Sequence, residues 1–592
     1  MDSINIDHTT LAVLRGAFVS IAHDMSRLLC RTSQSYITAV LRDHHTGVYD
    51  ASGRLIASSL TLPALAGTGR FQAKLVVEKY KGDIYPNDEF IMNCPYTAAG
   101  THLPDWTFMR PIYYKGELLF WAFSKAHQQD TSGSWPGGYF PRAYDIHAEG
   151  LMIPAIKWAE KGKPITHVQE LIMNNVRYPK AQRLDVEAMF ASLKLAEERM
   201  IKLVEKYGKP TILAAIDQLI DIMRKTVKSE IASMPDGTYY SEAACDEDGT
   251  HPDKPVWVRC EMSIEGDRLV FDYSKSDPQT DFISSPWSNT QPRVAAAFFT
   301  VLDPSLAYYH NEGSFESFDV VAPLGSVVNA KYPVSVGGCP VNVGLQIFET
   351  VLHALGKAVP DRATSGWARQ IAFTEFGLDR AKRRYFTVQM NSHGGAGAIH
   401  GYDGWPHLGM FSGLGGFRKG SIELIETRYP WRVEKYEMLK DSPGDGRWRG
   451  GHGVHIEWIS DNEPGCEHSI ITGDADGLFT DIYAVGGGCI PERNRMFLQR
   501  AADGQRTPLY SKRGPFFLER GDRVIQLAQG GSGVGSPIER DVDLVRRDVL
   551  HECISIEKAR DVYKVAIDPR TLAVDLEETR RLRAEASRPV GH

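Results

Sequence analysis

The chain has 592 residues, of which 42% are hydrophobic and 24% are charged, and its formal net charge is −7 at pH 7. That length exceeds what one hydrophobic core usually supports, so two or three subdomains are expected. The lack of a basic run argues against nucleic-acid binding, and no apolar stretch is long enough to cross a bilayer. The eight cysteines are scattered and the N-terminus has no apolar signal segment, which together predict a cytoplasmic protein.

The N-terminal part of the chain begins with an amphipathic helix. Apolar residues over 11–28 recur at spacings of three and four, and Thr9 or Thr10 is the expected cap. A hairpin, a second helix and a short buried strand are then predicted over 47–57, 64–80 and 90–93.

A second hairpin carries polar clusters at both of its ends. Two apolar runs around a Lys-Gly-Glu turn predict the hairpin over 106–124. His102 and Asp105 precede its first strand, whereas His127 and Asp130 follow its second strand. Folding the hairpin would therefore bring Asp105 and His127 close together.

The rest of the chain changes from helices to strands. A loop rich in Gly, Pro and aromatic residues is expected to cover a site. The elements predicted in chain order are this loop at 133–155, a helical hairpin of 185–206 and 212–227, strands over 236–285, a helix over 342–358, short strands over 383–535 and a helical end.

These patterns predict an α+β fold with several subdomains. The expected division is an N-terminal α/β lobe over 1–235, which carries the metal site and the helical hairpin, and a β-rich lobe with Gly-rich turns over 236–540. A helical tail over 541–592 completes the chain.

Asp43, His102, Asp105 and His127 form a candidate metal set, with Asp130 in reserve. One His-x-x-Asp pattern is common by chance, but two clusters that bracket one hairpin can supply three or four ligands to one divalent ion. A mixed N/O ligand set suits Zn, Mn or Fe better than Mg or Ca. The alternative is that these polar residues only cap turns.

Nucleophilic catalysis is a competing interpretation. Cys339 is at a predicted helix N-terminus, where a thiolate would be favoured, although a small buried residue at a tight turn explains it equally. The Gly-rich segments 393–398, 485–488 and 529–535 match no phosphate-binding loop and are predicted to be tight turns between strands. The sequence therefore shows no nucleotide site of its own.

A set of motifs spread over nearly the whole chain resembles one family. The motifs are Asn93-x-Pro-Tyr…Gly-Thr-His-Leu-Pro-Asp105, Ala126-His-x-x-Asp130, Glu149-Gly-Leu-x-Ile-Pro154, Ala322-Pro-x-Gly-Ser326, Asp441-Ser-x-Gly…Gly446-Arg-x-Arg-Gly-Gly451 and Gln529-Gly-Gly-x-Gly-x-Gly535. Together they resemble the hydantoinase B family, also called the oxoprolinase B-type subunit. This family supplies the non-nucleotide half of ATP-dependent hydantoinases, oxoprolinases and caprolactamase, and of the related acetone and acetophenone carboxylases.

The resemblance also implies a set of site residues. Motif by motif, the family's Asp/His/Asp/His metal cluster falls on Asp43, His102, Asp105 and His127. The expected metal is zinc, with manganese or iron as alternatives. One departure from the family pattern is Cys94, where relatives have a carboxylate; another is the pair of histidines that follows Asp43.

The implied activity is that of an ATP-dependent cyclic amidohydrolase. A hydantoinase A-type partner would bind ATP-Mg and phosphorylate the substrate's carbonyl oxygen, in a heterotetramer or larger assembly. This chain would then open the hydantoin- or lactam-type ring with the help of its metal, with Asp130 or an unassigned carboxylate as general base. The alternatives are a subunit of an ATP-dependent ketone carboxylase and a non-catalytic scaffold whose metal holds the fold.

Overall fold

The structure is a computed structural model that describes residues 5–408, 410–413 and 416–586. Its helices are α1 (His8–Thr32), α2 (Pro63–Ala66), α3 (Thr68–Lys79), α4 (Ile146–Glu149), α5 (Thr166–Asn174), α6 (Pro179–Tyr207), α7 (Lys209–Ala232), α8 (Trp287–Phe299), α9 (Pro304–Tyr308), α10 (Glu312–Phe315), α11 (Val343–Ala358), α12 (Ile422–Arg428), α13 (Val542–Leu550), α14 (Ile556–Asp561) and α15 (Leu576–Ala586).

The strands of the N-terminal half are β1 (His44–Asp50), β2 (Leu55–Ser58), β3 (Glu89–Met92), β4 (Asp105–Tyr114), β5 (Glu117–His127), β6 (Ile156–Glu160), β7 (Lys163–Pro164), β8 (Gly237–Cys245), β9 (Val256–Glu265) and β10 (Arg268–Asp272). Those that follow are β11 (Asp319–Val321), β12 (Phe373–Leu378), β13 (Arg384–Gln389), β14 (Trp431–Met438), β15 (Val454–Ser460), β16 (His468–Ile471), β17 (Arg495–Gln499), β18 (Arg506–Pro508), β19 (Phe516–Phe517), β20 (Arg523–Leu527), β21 (Ala566–Ile567) and β22 (Val574–Asp575). The mixture of helix and strand confirms the predicted α+β class.

A seven-stranded antiparallel sheet, in the order β2-β1-β5-β4-β3-β6-β7, positions the candidate site. Helices α1 and α6 cover one face, where Phe18 and Met189 share an apolar cluster with Phe108. The other face, with Met109 and Phe123, belongs to a larger cluster. Because both faces of the sheet are covered, β4 and β5 are buried at nearly every position instead of at alternate ones.

The predicted hairpins and helices of the N-terminal part are confirmed. Strands β4 and β5 pair with Asp105 directly opposite His127, as folding the hairpin required. Helices α6 and α7 form the predicted helical hairpin, joined at Gly208. The predicted cap of α1 was wrong: the helix begins at His8, and the side chain of Asp7 accepts a hydrogen bond from the backbone of Thr10.

The second half of the chain is built from smaller sheets around α8 and α11. Their strand orders are β11-β10-β9-β8, β13-β12-β16-β19 and β14-β15-β20-β17-β18. One apolar cluster contains Trp121 from the predicted first lobe and Val258 from the second, so the two share a core. A separate cluster, which includes Val545 and Tyr563, holds the C-terminal helices together. The division at residues 235 and 540 stays a prediction.

The Gly-rich segments pack backbone against backbone. The amide of Gly531 donates to Gly451 (3.0 Å), and the amide of Gly451 donates to Ala396 (2.8 Å). A Cβ atom at Gly531 would lie 1.9 Å from the carbonyl oxygen of Ala396. The prediction of tight turns is right for 485–488, where Gly486 and Gly487 have φ values of +60° and +83°, but wrong for most of the other two segments. There glycine permits close approach of backbones.

The eight cysteines all lie within the described residues and are free thiols. Within 5–408, 410–413 and 416–586, no helix has both the length and the apolarity that a membrane span requires.

Replacement of a glycine in this close-packed layer is expected to destabilise the fold. Gly531→Ala should lower the free energy of unfolding by about 3 kcal/mol or more, because backbone atoms cannot move aside as flexible side chains do. Gly16→Ala is the matched control, since Gly16 is an exposed residue of α1 with nothing within 4 Å of its added Cβ. That variant should gain about 0.5–1 kcal/mol. Urea denaturation measures both, and equal midpoints would contradict the close packing.

Candidate metal centre

Asp43 reaches the site through an unusual piece of backbone. The preceding residues Ile37–Leu41 form a short π-helix, a form often found at functional sites, and Arg42 then adopts the left-handed region at φ +62°. The chain thus turns from the π-helix into β1. The carbonyl oxygen of Asp43 accepts a hydrogen bond from the amide of His127 (3.1 Å), which holds the two residues side by side.

Asp105 and His127 lie opposite each other at the open end of the β4–β5 hairpin. Directly opposed residues of antiparallel strands point to the same face of a sheet, so their side chains meet on the face away from α1. His102 comes from the loop before β4, and its carbonyl oxygen accepts from the amide of Asp105 (3.2 Å). Local hydrogen bonding therefore brings this third side chain to the same place.

The four side chains converge on one small volume. Nε2 of His102 is 3.1 Å from Oδ1 of Asp105, and Nδ1 of His127 is 3.5 Å from the same oxygen. One ligand atom from each of these three buried residues lies within 4.8 Å of the other two. Oδ2 of Asp43 lies 3.7 Å from Nδ1 of His127, beside this group of three.

Neighbouring groups orient the donors. Nδ1 of His102 is 2.8 Å from the carbonyl oxygen of Gly337. A carbonyl oxygen can only accept, so Nδ1 donates this hydrogen bond, and Nε2 is the ring nitrogen that faces Asp105 and would bind a metal. The other carboxylate oxygen of Asp105 accepts from the hydroxyl of Thr101 and lies 3.8 Å from the ammonium of Lys125. Oδ1 of Asp105 is thereby left to face the imidazoles.

The two carboxylates respond differently to burial. Burial raises the pKa of Asp43 to about 6, and the negative charge of Asp105 adds to that rise while His127 opposes it. Burial also acts to raise the pKa of Asp105, but the charge of His102 and the hydrogen bonds of both imidazoles hold it well below its usual range. The carboxylates of Asp43, which is 21% exposed, and of buried Asp105 repel each other, and a bound cation would relieve that repulsion.

These residues fit a divalent metal. They line a cavity of ≈ 30 Å³, which is enough for an ion with one or two waters. The donors that face this space are two imidazole nitrogens and carboxylate oxygens, the mixed set that zinc, manganese and iron accept. Apolar side chains such as Leu62, Leu65 and Phe417 make up most of the remaining wall.

Asp130 does not join this cluster. Oδ2 accepts from the amides of Ser132 (3.0 Å) and Arg177 (2.8 Å), and Oδ1 accepts from the amide of Gly137 (3.1 Å) and the guanidinium of Arg177 (2.9 Å). Both oxygens are thus engaged, and the residue is fully buried. These contacts hold the aromatic loop that carries Tyr139 to the cavity wall. A role for Asp130 as base stays a prediction.

The structure gives other surroundings to Cys339, Cys94 and His44, none of which lines the metal cavity. The thiol of Cys339 is 3.6 Å from the carbonyl oxygen of Thr101, and burial raises its pKa well above the usual value, so it is a neutral thiol. Cys94 is packed into the apolar core and does not line the cavity. His44 points to the opposite face of β1, where it bonds Ser26 (2.8 Å).

Sequence reasoning missed three residues around the metal centre. Lys125 precedes His127 by two positions on β5 and so shares its face, which strand alternation could have indicated. Arg293 lies in α8 just before an apolar run of residues, where a charged residue is itself a signal. Tyr139 was indicated only as part of the aromatic loop that was expected to cover a site; its ring lies 5.8 Å from that of His127.

Comparison with known proteins gives a consistent set of relatives. The family model described as Hydantoinase B/oxoprolinase matches residues 7–537. The beta chain of the caprolactamase of Pseudomonas jessenii is 30% identical over 574 residues, 95% of this chain and 97% of that one. The crystal structure of the ATP-dependent caprolactamase from this organism superimposes with a TM-score of 0.89 at 28% identity, over 98% of this chain and 100% of that one.

Two further relatives differ in activity. The putative B component of a D-/L-hydantoinase from Pseudomonas sp. (strain NS671) is 28% identical over 600 residues, covering 98% of this chain and 99% of that one. The acetophenone carboxylase delta subunit of Aromatoleum aromaticum (strain DSM 19018 / LMG 30748 / EbN1) is 24% identical over 556 residues, which are 86% of this chain and 79% of that one.

Loss of one metal donor is expected to abolish metal retention. His102→Ala should weaken zinc binding by more than about 100-fold, since even the loss of a group that only orients a ligand costs 10- to 100-fold. His167→Ala is the control, because His167 is exposed on α5, away from the cluster. Elemental analysis after dialysis measures retained metal, and equal metal content in both variants would refute the assignment.

The buried Glu149 is expected to make stability depend on pH. Burial raises its pKa from 4.5 to about 8, so between these values the folded chain holds a proton that the unfolded chain lacks. The free energy of unfolding should then fall by about 1.4 kcal/mol per pH unit as the pH rises through that window. Glu149→Gln can still accept from the amide of Gly337 but has no proton to lose.

The variant should therefore gain stability over the parent chain by about 2–3 kcal/mol between pH 6 and pH 8. Urea denaturation of both proteins at pH 6, 7 and 8 measures the difference. Parallel pH profiles would show that Glu149 is ionised in the folded state.

Proposed function

The chain belongs to the hydantoinase B/oxoprolinase family, and on that premise we propose that it is the metal-bearing subunit of an ATP-dependent enzyme that opens a cyclic amide. The observation that carries the proposal is the buried cluster of His102, Asp105 and His127 beside Asp43 in one small cavity. Exclusion of bulk water suits a reaction in which an activated intermediate must not be lost to hydrolysis elsewhere.

The activation step belongs to a partner in this proposal. The sequence has no phosphate-binding loop, and the caprolactamase and hydantoinase relatives are by name subunits. We therefore assign ATP-Mg to a hydantoinase A-type subunit, which phosphorylates the ring carbonyl oxygen, in a heterotetramer or larger complex. The requirement for ATP makes the cytoplasm the expected compartment.

The residues of this chain hold the metal and shield the reacting centre. Asp43, His102, Asp105 and His127 would bind one divalent ion, zinc in the first instance, with manganese or iron as alternatives. Such an ion supplies Lewis-acid chemistry when it is bound. The ring of Tyr139 lies 5.7 Å from His102 in an edge-on contact and stacks on His127, so it restrains both imidazoles and covers them from solvent.

Two buried carboxylates are candidates for the general base. Asp130 has both oxygens engaged, as described above. Asp474 is a second candidate, because it is fully buried near enough to Tyr139 on the cavity wall to raise the pKa of that residue, and neither of its carboxylate oxygens has a hydrogen-bond partner within the described residues. Burial raises its pKa to about 7, near the value that favours proton transfer at neutral pH. Of Asp474→Asn and Asp130→Asn, only the variant that lacks the base should lose the acidic limb of the pH–rate profile, in which turnover rises as the base deprotonates.

Two other functions remain as alternatives. The acetophenone carboxylase relative supports a subunit of a ketone carboxylase, in which an enolate would meet CO2 at the same site. A closed four-ligand metal site would instead suit a structural role, because catalytic sites keep one position open. Both alternatives make different predictions for the assay below.

The assay uses the chain purified together with its partner. We expect ATP-dependent ring opening of a lactam or hydantoin without bicarbonate, and loss of turnover together with metal in His102→Ala. Bicarbonate carbon found in the product from a ketone would establish the carboxylase instead. If His102→Ala lost its metal but kept turnover, the metal would be structural; His167→Ala controls for loss of a histidine as such.

A further inference from the structure

Arg293 is a buried cation on the wall of the metal cavity. Its side chain is 3% exposed; Nε donates to the amide oxygen of Asn289 (3.3 Å) and Nη1 to the hydroxyl of Ser412. Both partners are neutral, and across the described residues Arg293 forms no ion pair. Arginine keeps its charge at neutral pH even though burial lowers the pKa of this one to about 10.

The other buried arginines are compensated. Arg369 pairs with Glu349 (3.2 Å), Arg540 pairs with Asp403 and Asp548, and Arg110 pairs with Glu89 and Glu197. Burial of a charge without an opposite charge is costly. Among the buried arginines of the described chain, Arg293 is therefore the one without a carboxylate at ion-pair distance. Its burial is unfavourable, and an anionic ligand that entered the cavity would offset that unfavourable free energy.

The charges around the cavity indicate what kind of anion. In number, the carboxylates of Asp43 and Asp105 match the cations of Lys125 and Arg293, although neither carboxylate is within ion-pair distance of Arg293. A bound divalent ion would therefore leave about two positive charges in excess inside a small cavity with largely apolar walls. A neutral lactam or ketone leaves that excess in place, whereas a phosphoryl group at neutral pH carries about two negative charges.

We propose that Arg293 binds the phosphoryl oxygens of the activated substrate, so that this cavity selects a phosphorylated, dianionic intermediate over the neutral ring. The planar guanidinium suits this task because its paired N–H groups match two phosphate oxygens. The inference rests on the proposed function and names the chemical class of the substrate that binds at this site. The cavity of ≈ 30 Å³ must widen for a phosphoryl group, and the flexible side chains of Met390 and Met410 form part of its wall.

The test uses inorganic phosphate as the probe. Phosphate binding to the metal-loaded complex with its partner is measured by calorimetry without ATP or lactam. Arg293→Gln should weaken that binding by about 10- to 100-fold, the value of a charge-assisted bidentate contact, and leave metal content unchanged. Arg268→Gln is the control, because Arg268 is an exposed arginine on β10. Equal phosphate affinity in Arg293→Gln and the parent complex would overturn the proposal.

A second variant covers the possibility that Arg293→Gln does not fold. Arg293→Lys keeps the charge but loses the paired donors, and phosphate binding should weaken several-fold; unchanged affinity would again overturn the inference. The outcome is separable from that of the proposed function. A complex that binds phosphate through Arg293 but opens no ring would refute the function alone, and ring opening with phosphate binding insensitive to Arg293 would refute the inference alone.

Discussion

The ionised carboxylate of Asp105 is the group on which the architecture around the cavity depends. It is 4% exposed, and a charge so buried must be met by hydrogen bonds and opposite charge. His102 and His127 face one oxygen. Thr101 donates a hydrogen bond to the other oxygen, and the ammonium of Lys125 lies near it. Lys125 also donates to the Thr101 hydroxyl (3.1 Å), so the donors form one connected network. Removal of any member would leave a buried polar group without its partner.

The part of the site that the sequence could predict is the part that is local. Asp105 and His127 follow from the register of one hairpin, and His102 is three residues away along the chain. Asp43 had weaker support, because its position depends on a π-helix and a left-handed residue that no hydrophobic pattern encodes. Arg293 comes from a distant helix, so its approach to the cavity results from tertiary packing that periodicity does not report.

Other differences between expectation and structure also have physical reasons. The predicted cap of the first helix was Thr9 or Thr10, whereas the observed cap is Asp7. All three residues have side chains that can cap a helix, and the spacing of apolar residues does not decide which of them does. The Gly-rich segments were ambiguous because a turn and a close backbone contact both require the absence of a Cβ atom. The division into lobes stays a prediction, because one apolar cluster contains residues of both predicted lobes.

The glycine layer has a consequence for the order in which the chain folds. A glycine has no side chain to bury and so gains almost nothing from the hydrophobic effect, yet it loses more conformational freedom on ordering than any other residue. Ala396, Gly451 and Gly531 are far apart in sequence, so their hydrogen bonds also require closure of long loops. The flanking strands β15 and β20 pair directly with each other. Once that pair is in place, the glycine segments are held at the correct separation, and their layer can form as a late, templated step.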